Sequence, residues 1–158
     1  MSTTEFKLTK APTVSAGMLV RSNPEEVFRA FVDPAATTKF WFTKSSGKLA
    51  TGVEVRWYWE MYDVSTQVRV KKVEQDRRIV FEWQEDEPLT VEFSFTPAEG
   101  DATFVEVTET GFGGSGDDIL AHAVGSTDGF AIVLCGLKAW LEHGIELGAV
   151  RDRFPSGV

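Results

Sequence analysis

Apolar and polar residues alternate along most of this chain, and near its end the apolar spacing switches to three and four. Val14, Ala16, Met18 and Val20 alternate with polar or small neighbours, which predicts a first strand. Asn23-Pro24-Glu25-Glu26 then reads as a helix start, with Asn as the cap and Pro in the first helical position. Val27, Phe28 and Phe31 give that helix one apolar face, and Asp33-Pro34 repeats the signal for a second short helix running toward Phe40-Trp41. The next stretch reads as a meander. Val53, Val55, Trp57, Trp59 and Met61 share one strand face, with Glu54, Arg56, Tyr58 and Glu60 on the other. The same alternation marks Val68 and Val70, then Ile79, Phe81 and Trp83, then Val91, Phe93 and Phe95, and finally Val105 and Val107. Polar turns at 74–78, 85–88 and 97–101 suit hairpins. After a glycine-rich stretch at Gly111–Gly116, Asp117-Asp118 opens a short helix. A long one follows from about Thr127, where Phe130, Leu134, Leu137 and Leu141 recur at helical steps.

Strands joined by short loops pair antiparallel, because parallel pairing needs a crossover of about a dozen residues or more. A twisted sheet of this size curls, and the last helix is the element long enough to cover its concave face. The expected fold is therefore α+β: a curved antiparallel sheet of six or seven strands around a long C-terminal helix, with two short helices after strand one. A single domain spans 13–150, between an N-terminal tail (1–12) and a C-terminal tail (151–158).

Composition adds one departure from the ordinary. Among 158 residues stand 12 Phe, 5 Trp and 2 Tyr, which implies either a very full core or a lined cavity. Charge excludes a partner class. Residues 1–60 hold eight basic and six acidic side chains (+2), residues 61–158 hold eight and 18 (−10), and so acidic a surface repels nucleic acid. One cysteine, Cys135, cannot form an internal disulfide, no signal-peptide pattern opens the chain, and no apolar run reaches the length of a membrane span. These features point to a cytoplasmic protein that stays off membranes.

The candidate chemistry is sparse. Gly111-Phe112-Gly113-Gly114-Ser115-Gly116 matches a dinucleotide-binding spacing, but that motif needs a βαβ unit, and Asp117 and Asp118 would repel the phosphates. Ser115 is not in a hydrolase elbow, and nothing ties His122 or His143 to it or to Cys135. Cys135, His122 and His143 contain no close pair of zinc ligands, and Cys135 reads as a small buried apolar residue. Neither metal nor cofactor is expected. Glu109 is the acidic residue to weigh. Continuing from Val105 and Val107, it points into the hollow, where desolvation would fit it for proton transfer; at the sheet rim it would instead be solvated.

The order of elements and three motifs resemble the START-like (SRPBCC) superfamily, and within it the family related to the C-terminal domain of the activator of the heat-shock-protein-90 ATPase. The motifs are Asn23-Pro24-Glu25-Glu26-Val27-Phe28-Arg29-Ala30-Phe31, Thr38-Lys39-Phe40-Trp41-Phe42, and Val105 to Phe112 ending in Thr-x-x-Gly-Phe style, with Trp140-Leu141 in the last helix. Thr51-Gly52-Val53 and Gly129-Phe130 depart from that family's Gly-Gly and Gly-Trp. The resemblance implies a helix-grip fold and three readings. The first is an internal cavity for a hydrophobic small molecule, walled by Trp41, Trp57, Trp59, Val68, Phe81, Trp83, Phe93, Phe95, Glu109, Phe130 and Leu134. The second is a chaperone ATPase co-regulator acting in stress response. The third is a polyketide cyclase-like enzyme using Glu109. With no catalytic constellation legible, binding ranks above catalysis, and homodimerisation is compatible with such a domain.

Overall fold

The computed structural model describes residues 7–157. Seven strands form one sheet: β1 (Val14–Val20), β2 (Lys44–Ser45), β3 (Glu54–Trp59), β4 (Val64–Glu74), β5 (Arg78–Trp83), β6 (Leu89–Ala98) and β7 (Ala102–Thr110). Their spatial order is β1-β7-β6-β5-β4-β3-β2, with every neighbouring pair antiparallel. The first strand thus pairs with the last, and the rest fold back as a meander. Two short helices, α1 (Pro24–Val32) and α2 (Pro34–Thr37), carry the chain from one edge of the sheet toward the other. The long α3 (Gly116–His143) covers the concave face, and a four-residue α4 (Ala149–Asp152) follows it. This is the helix-grip arrangement expected.

The helix ends follow from their caps. The Asn23 side chain accepts from Glu26 N at 2.9 Å to start α1, and Asp33 accepts from Ala35 N at 3.0 Å to start α2. The second helix stops at Thr37, short of the expected Phe40-Trp41, whose rings turn inward instead. The expected break between a short helix at Asp117 and a long one from Thr127 is absent: α3 is continuous over 28 residues. Ser115 accepts from Asp118 N at 3.1 Å and Asp118 accepts from Ser115 N at 3.3 Å, a reciprocal cap that satisfies the first turn. This also fills the helix N-terminus with its own carboxylate. By length and composition α3 could cross a membrane, its most apolar 18 residues having a mean hydropathy of 1.5, which the reading in two pieces did not anticipate. Here it is packed on the sheet through Phe130, Val133, Leu134 and Leu137.

The predicted alternation becomes the inner face of the sheet. Val55 and Trp57 of β3, Val68 and Val70 of β4, Ile79 and Phe81 of β5, Val91, Phe93 and Phe95 of β6, and Val105 and Val107 of β7 are all buried. Met61 does not extend β3; it lies in a single 3-10 turn (Glu60–Tyr62), after which Asp63 takes a left-handed conformation to reverse the chain. Cys135, expected inside, is exposed, because positions 131 and 135 of α3 point away from the sheet face that 130, 133, 134 and 137 occupy. Of the expected N-terminal tail, residues 1–6 lie outside the described residues, and 7–12 hold no helix or strand.

Candidate functional site: an aromatic cleft beneath the first half of the long helix

The concave face is filled at one end and open at the other. In the filled end Phe31 meets Phe93 at 4.5 Å between ring centroids, Phe42 stacks on Trp57 at 4.6 Å, and Phe81 meets Trp57 edge-on at 5.1 Å. In the open end lies a cleft of about 710 Å³. Its sheet side is Trp59 of β3, Val64, Ser65 and Thr66 of β4, and Trp83 and Gln84 at the end of β5; its helix side runs from Val124 to Val133 of α3. Tyr62, Trp41 and the C-terminal segment through Val150, Arg153 and Phe154 complete it. The volume falls in the range of small-molecule sites. A smaller cavity of about 400 Å³ lies on the other side of Trp41 and Val150.

Of the wall residues expected from sequence, Trp41, Trp59, Trp83 and Phe130 line the cleft. Trp57, Val68, Phe81, Phe93, Phe95 and Leu134 are packed solid in the filled end and do not. Both halves of the sequence expectation, full core and lined cavity, are therefore present in different places. The sequence reading missed Tyr62, Val64, Thr66, Gly125, Ser126, Gly129, Arg153 and Phe154. For Val64 and Thr66 a signal existed, since they continue the alternation of Val68 and Val70 backwards along β4. For Arg153 and Phe154, assigned to a tail, none did.

Glu109 does not reach a solvated rim. It is 0% exposed, near the end of β7, and belongs to the interior behind the cleft wall. The Trp83 indole Nε1 donates to its Oε2 at 2.7 Å, which fixes a ring that lines the cleft. Its Oε1 has no hydrogen-bond partner. Burial pushes the Glu109 carboxyl above the usual carboxylate range; the nearby Ser126 hydroxyl, the Trp83 N–H and the charge of His122 pull the other way without cancelling it. A neutral carboxyl held in apolar surroundings can donate or accept a proton or a hydrogen bond. His122, Cys135 and His143 are all exposed on α3, and among the described residues no group of three or more His, Cys, Asp and Glu could hold a metal.

The mouth of the cleft is closed on one side by the C-terminal segment. The Tyr62 hydroxyl contacts the carbonyls of Val150 and Arg151, the latter at 2.9 Å, and its ring meets Phe154 edge-on at 6.1 Å. Arg153 donates to Asp128 of α3 at 2.8 Å and lies over the Phe154 ring at 4.5 Å. These contacts tie the segment to both walls.

Solved structures share this architecture. A protein from Staphylococcus saprophyticus is similar at 29% identity and a TM-score of 0.75, over 86% of this chain and 96% of its own. A putative protein of the dynemicin biosynthetic locus is similar at 22% identity and a TM-score of 0.70, over 85% of this chain and 48% of its own. The Aha1 dimer from Colwellia psychrerythraea is similar at 20% identity and a TM-score of 0.72, over 84% of this chain and 98% of its own. No curated protein matches the chain in sequence. The family model described as Activator of Hsp90 ATPase homolog 1-like protein matches residues 21–142, from the start of α1 to the end of α3, and the chain belongs to that family.

Proposed function

We propose that this chain binds an apolar small molecule in the cleft between β3–β5 and the first half of α3. The observation that supports this most directly is the cleft itself: about 710 Å³ with Trp41, Trp59, Trp83 and Phe130 in its walls, in a molecule whose other inward rings are fully packed. Binding should quench or shift the fluorescence of Trp59 and Trp83, and native mass spectrometry of freshly purified protein should show a retained ligand. Absence of any apolar-probe binding, with no retained ligand, would overturn the reading. A cytoplasmic location is part of the same proposal.

A second reading is a chaperone ATPase co-regulator, which is supported by the family description and by a dimeric relative. It predicts that the purified protein changes the turnover of an Hsp90-type ATPase and sediments as a homodimer. A third, an acid–base enzyme, is supported by the buried Glu109 carboxyl with its raised pKa, and requires that Glu109→Gln abolish turnover of a bound substrate.

A further inference from the structure

Strand β1 lies at one edge of the sheet, and β7 is its only partner there. Lys138 Nζ donates to the Leu19 carbonyl at 2.8 Å, and Arg21 N donates to Glu142 Oε2 at 2.9 Å. The backbone of the odd-numbered positions therefore faces away from the sheet, and the even-numbered positions bond to β7. Lys138 and Glu142, themselves paired at 2.7 Å, guard the C-terminal end of this edge. The other end is unguarded. Among the described residues, the N–H and C=O of Ser15 and Gly17 and the N–H of Leu19 have no hydrogen-bond partner, and all three residues are exposed. Residues 11–20 hold no charged side chain in a chain of net charge −8, so nothing there repels a second strand.

Apolar surface flanks the edge in both layers. On the outer face of the sheet Leu19 is 37% and Phe104 41% exposed. On α3 the flank that carries Lys138 and Glu142 runs back in helical steps through Cys135, Ala131, Val124 and Leu120, all exposed. The shortness of the free edge selects its occupant. Ordering a flexible peptide as a strand costs more per residue than one net hydrogen bond returns, and only positions 15 and 17 offer both groups. A strand already held in a folded sheet avoids that cost, and a second copy supplies one in matching register. With β1 antiparallel to itself about a two-fold axis at Ala16, Ser15 pairs with the partner's Gly17 and Gly17 with the partner's Ser15. The ladder ends before Arg21, whose N–H is already used, and the side chains that face each other across its centre are small. We propose that two copies of this chain pair their β1 edges, joining two seven-stranded sheets into one and bringing the apolar flanks of both α3 helices together. This names a surface for the homodimer that the co-regulator reading expects.

The test combines sedimentation of the full chain with amide hydrogen exchange followed by NMR at low and high protein concentration. Wild type should sediment as a dimer. Its amides at 15, 17 and 19 should gain protection as concentration rises, while those at 14, 16 and 18, bonded to β7, stay protected throughout. Ser15→Pro removes an edge N–H that β7 does not use, and should weaken the dimer about 100-fold with the β1–β7 ladder intact. Ser15→Lys keeps that N–H but sets like charges diagonally across the axis; it should weaken the dimer about tenfold, and it carries the test if proline disturbs the fold. A chain that stays monomeric at every concentration would overturn the inference and remove the homodimer from the co-regulator reading, which ATPase turnover tests separately. A dimer that survives both substitutions with the three amides unprotected would overturn this inference alone. Protection of those amides that is independent of concentration would assign the edge to the chain's own residues, and would overturn it equally.

Discussion

The two halves of α3 face the same sheet and meet it in opposite ways. From Phe130 to Leu137 the helix is pressed into a closed aromatic core, with Gly136 seated against Phe40 and Trp57, Phe81 and Phe93 fully covered below. From Gly116 to Gly129 it is held more loosely: Ile119 and Ala123 are half-buried against the core, while Leu120 is 50% and Val124 61% exposed. Length explains the division. A helix of 28 residues extends about 42 Å, whereas the six-residue β3 and β5 extend about 20 Å. The helix outruns these strands, and the cleft opens beside their last rings, where Trp83 is stacked on Phe130 of the helix and Trp59 lies half-buried in the wall. The closed half supplies stability, which leaves the open half free to keep apolar surface unburied.

Large-to-small changes give the sharpest break between the halves. Phe93→Ala removes a ring that touches Phe31, Trp41, Phe81 and Phe130, and should cost about 3–5 kcal/mol in urea denaturation. Trp59→Ala, on the open side, should cost clearly less while removing cleft affinity. Equal costs would mean that the cleft is part of the core. Glycines extend the same contrast with a smaller effect. Gly136→Ala forces a methyl onto Phe40 and should destabilise by about 1–3 kcal/mol, whereas Gly129→Ala should stabilise by about 0.5–1 kcal/mol. Equal signs for the two, measured by thermal and chemical unfolding, would dissolve the distinction.

The same contrast explains what the sequence could show. Strand faces such as Val55-Trp57 and Phe81-Trp83 are periodic, and periodicity reports which side of a strand is inward; the sheet and the covering helix are legible from it, while the family likeness rests on the order of elements and the three motifs. It does not report how far along a strand the covering helix touches. Trp57 and Trp59 are indistinguishable in pattern, yet one is sealed and the other walls the cleft. The helical spacing of Phe130, Leu134, Leu137 and Leu141 is legible only from about Thr127, although the reciprocal cap at Ser115 and Asp118 starts one helix far earlier. Arg153 and Phe154 reach the cleft only through contacts with Tyr62 and Asp128, distant in sequence, and no local signal announces such closure.

Glu109 sits at the boundary between the halves, and its ionisation tests on which side it belongs. Its folded pKa stands above that of an unfolded glutamate because burial penalises the charged form. The contribution it makes to stability is thus complete below about pH 4.3 and is lost as pH rises through the raised folded value. Glu109→Gln should match wild type at pH 4 and exceed its Tm by about 1–3 °C at pH 8. A gap that stays constant with pH would mean that the carboxyl is hydrated from the cleft and titrates normally.

The smallest effect belongs to the C-terminal segment, and its smallness is the point. Arg153 and Asp128 lie 2.8 Å apart, but both side chains are roughly half exposed, so solvent screens the pair and Arg153→Ala should cost less than about 1 kcal/mol. The segment closes one side of the cleft mouth without underpinning the fold, because the contacts of Tyr62 with the Val150 and Arg151 carbonyls remain when Arg153 is removed. Hydrogen exchange should therefore quicken at amides 149–154 while those of β5 to β7 keep their protection. A loss of global stability as large as that of Gly136→Ala would instead make the segment part of the closed core, and the cleft a gap in that core with the segment as one of its packed walls.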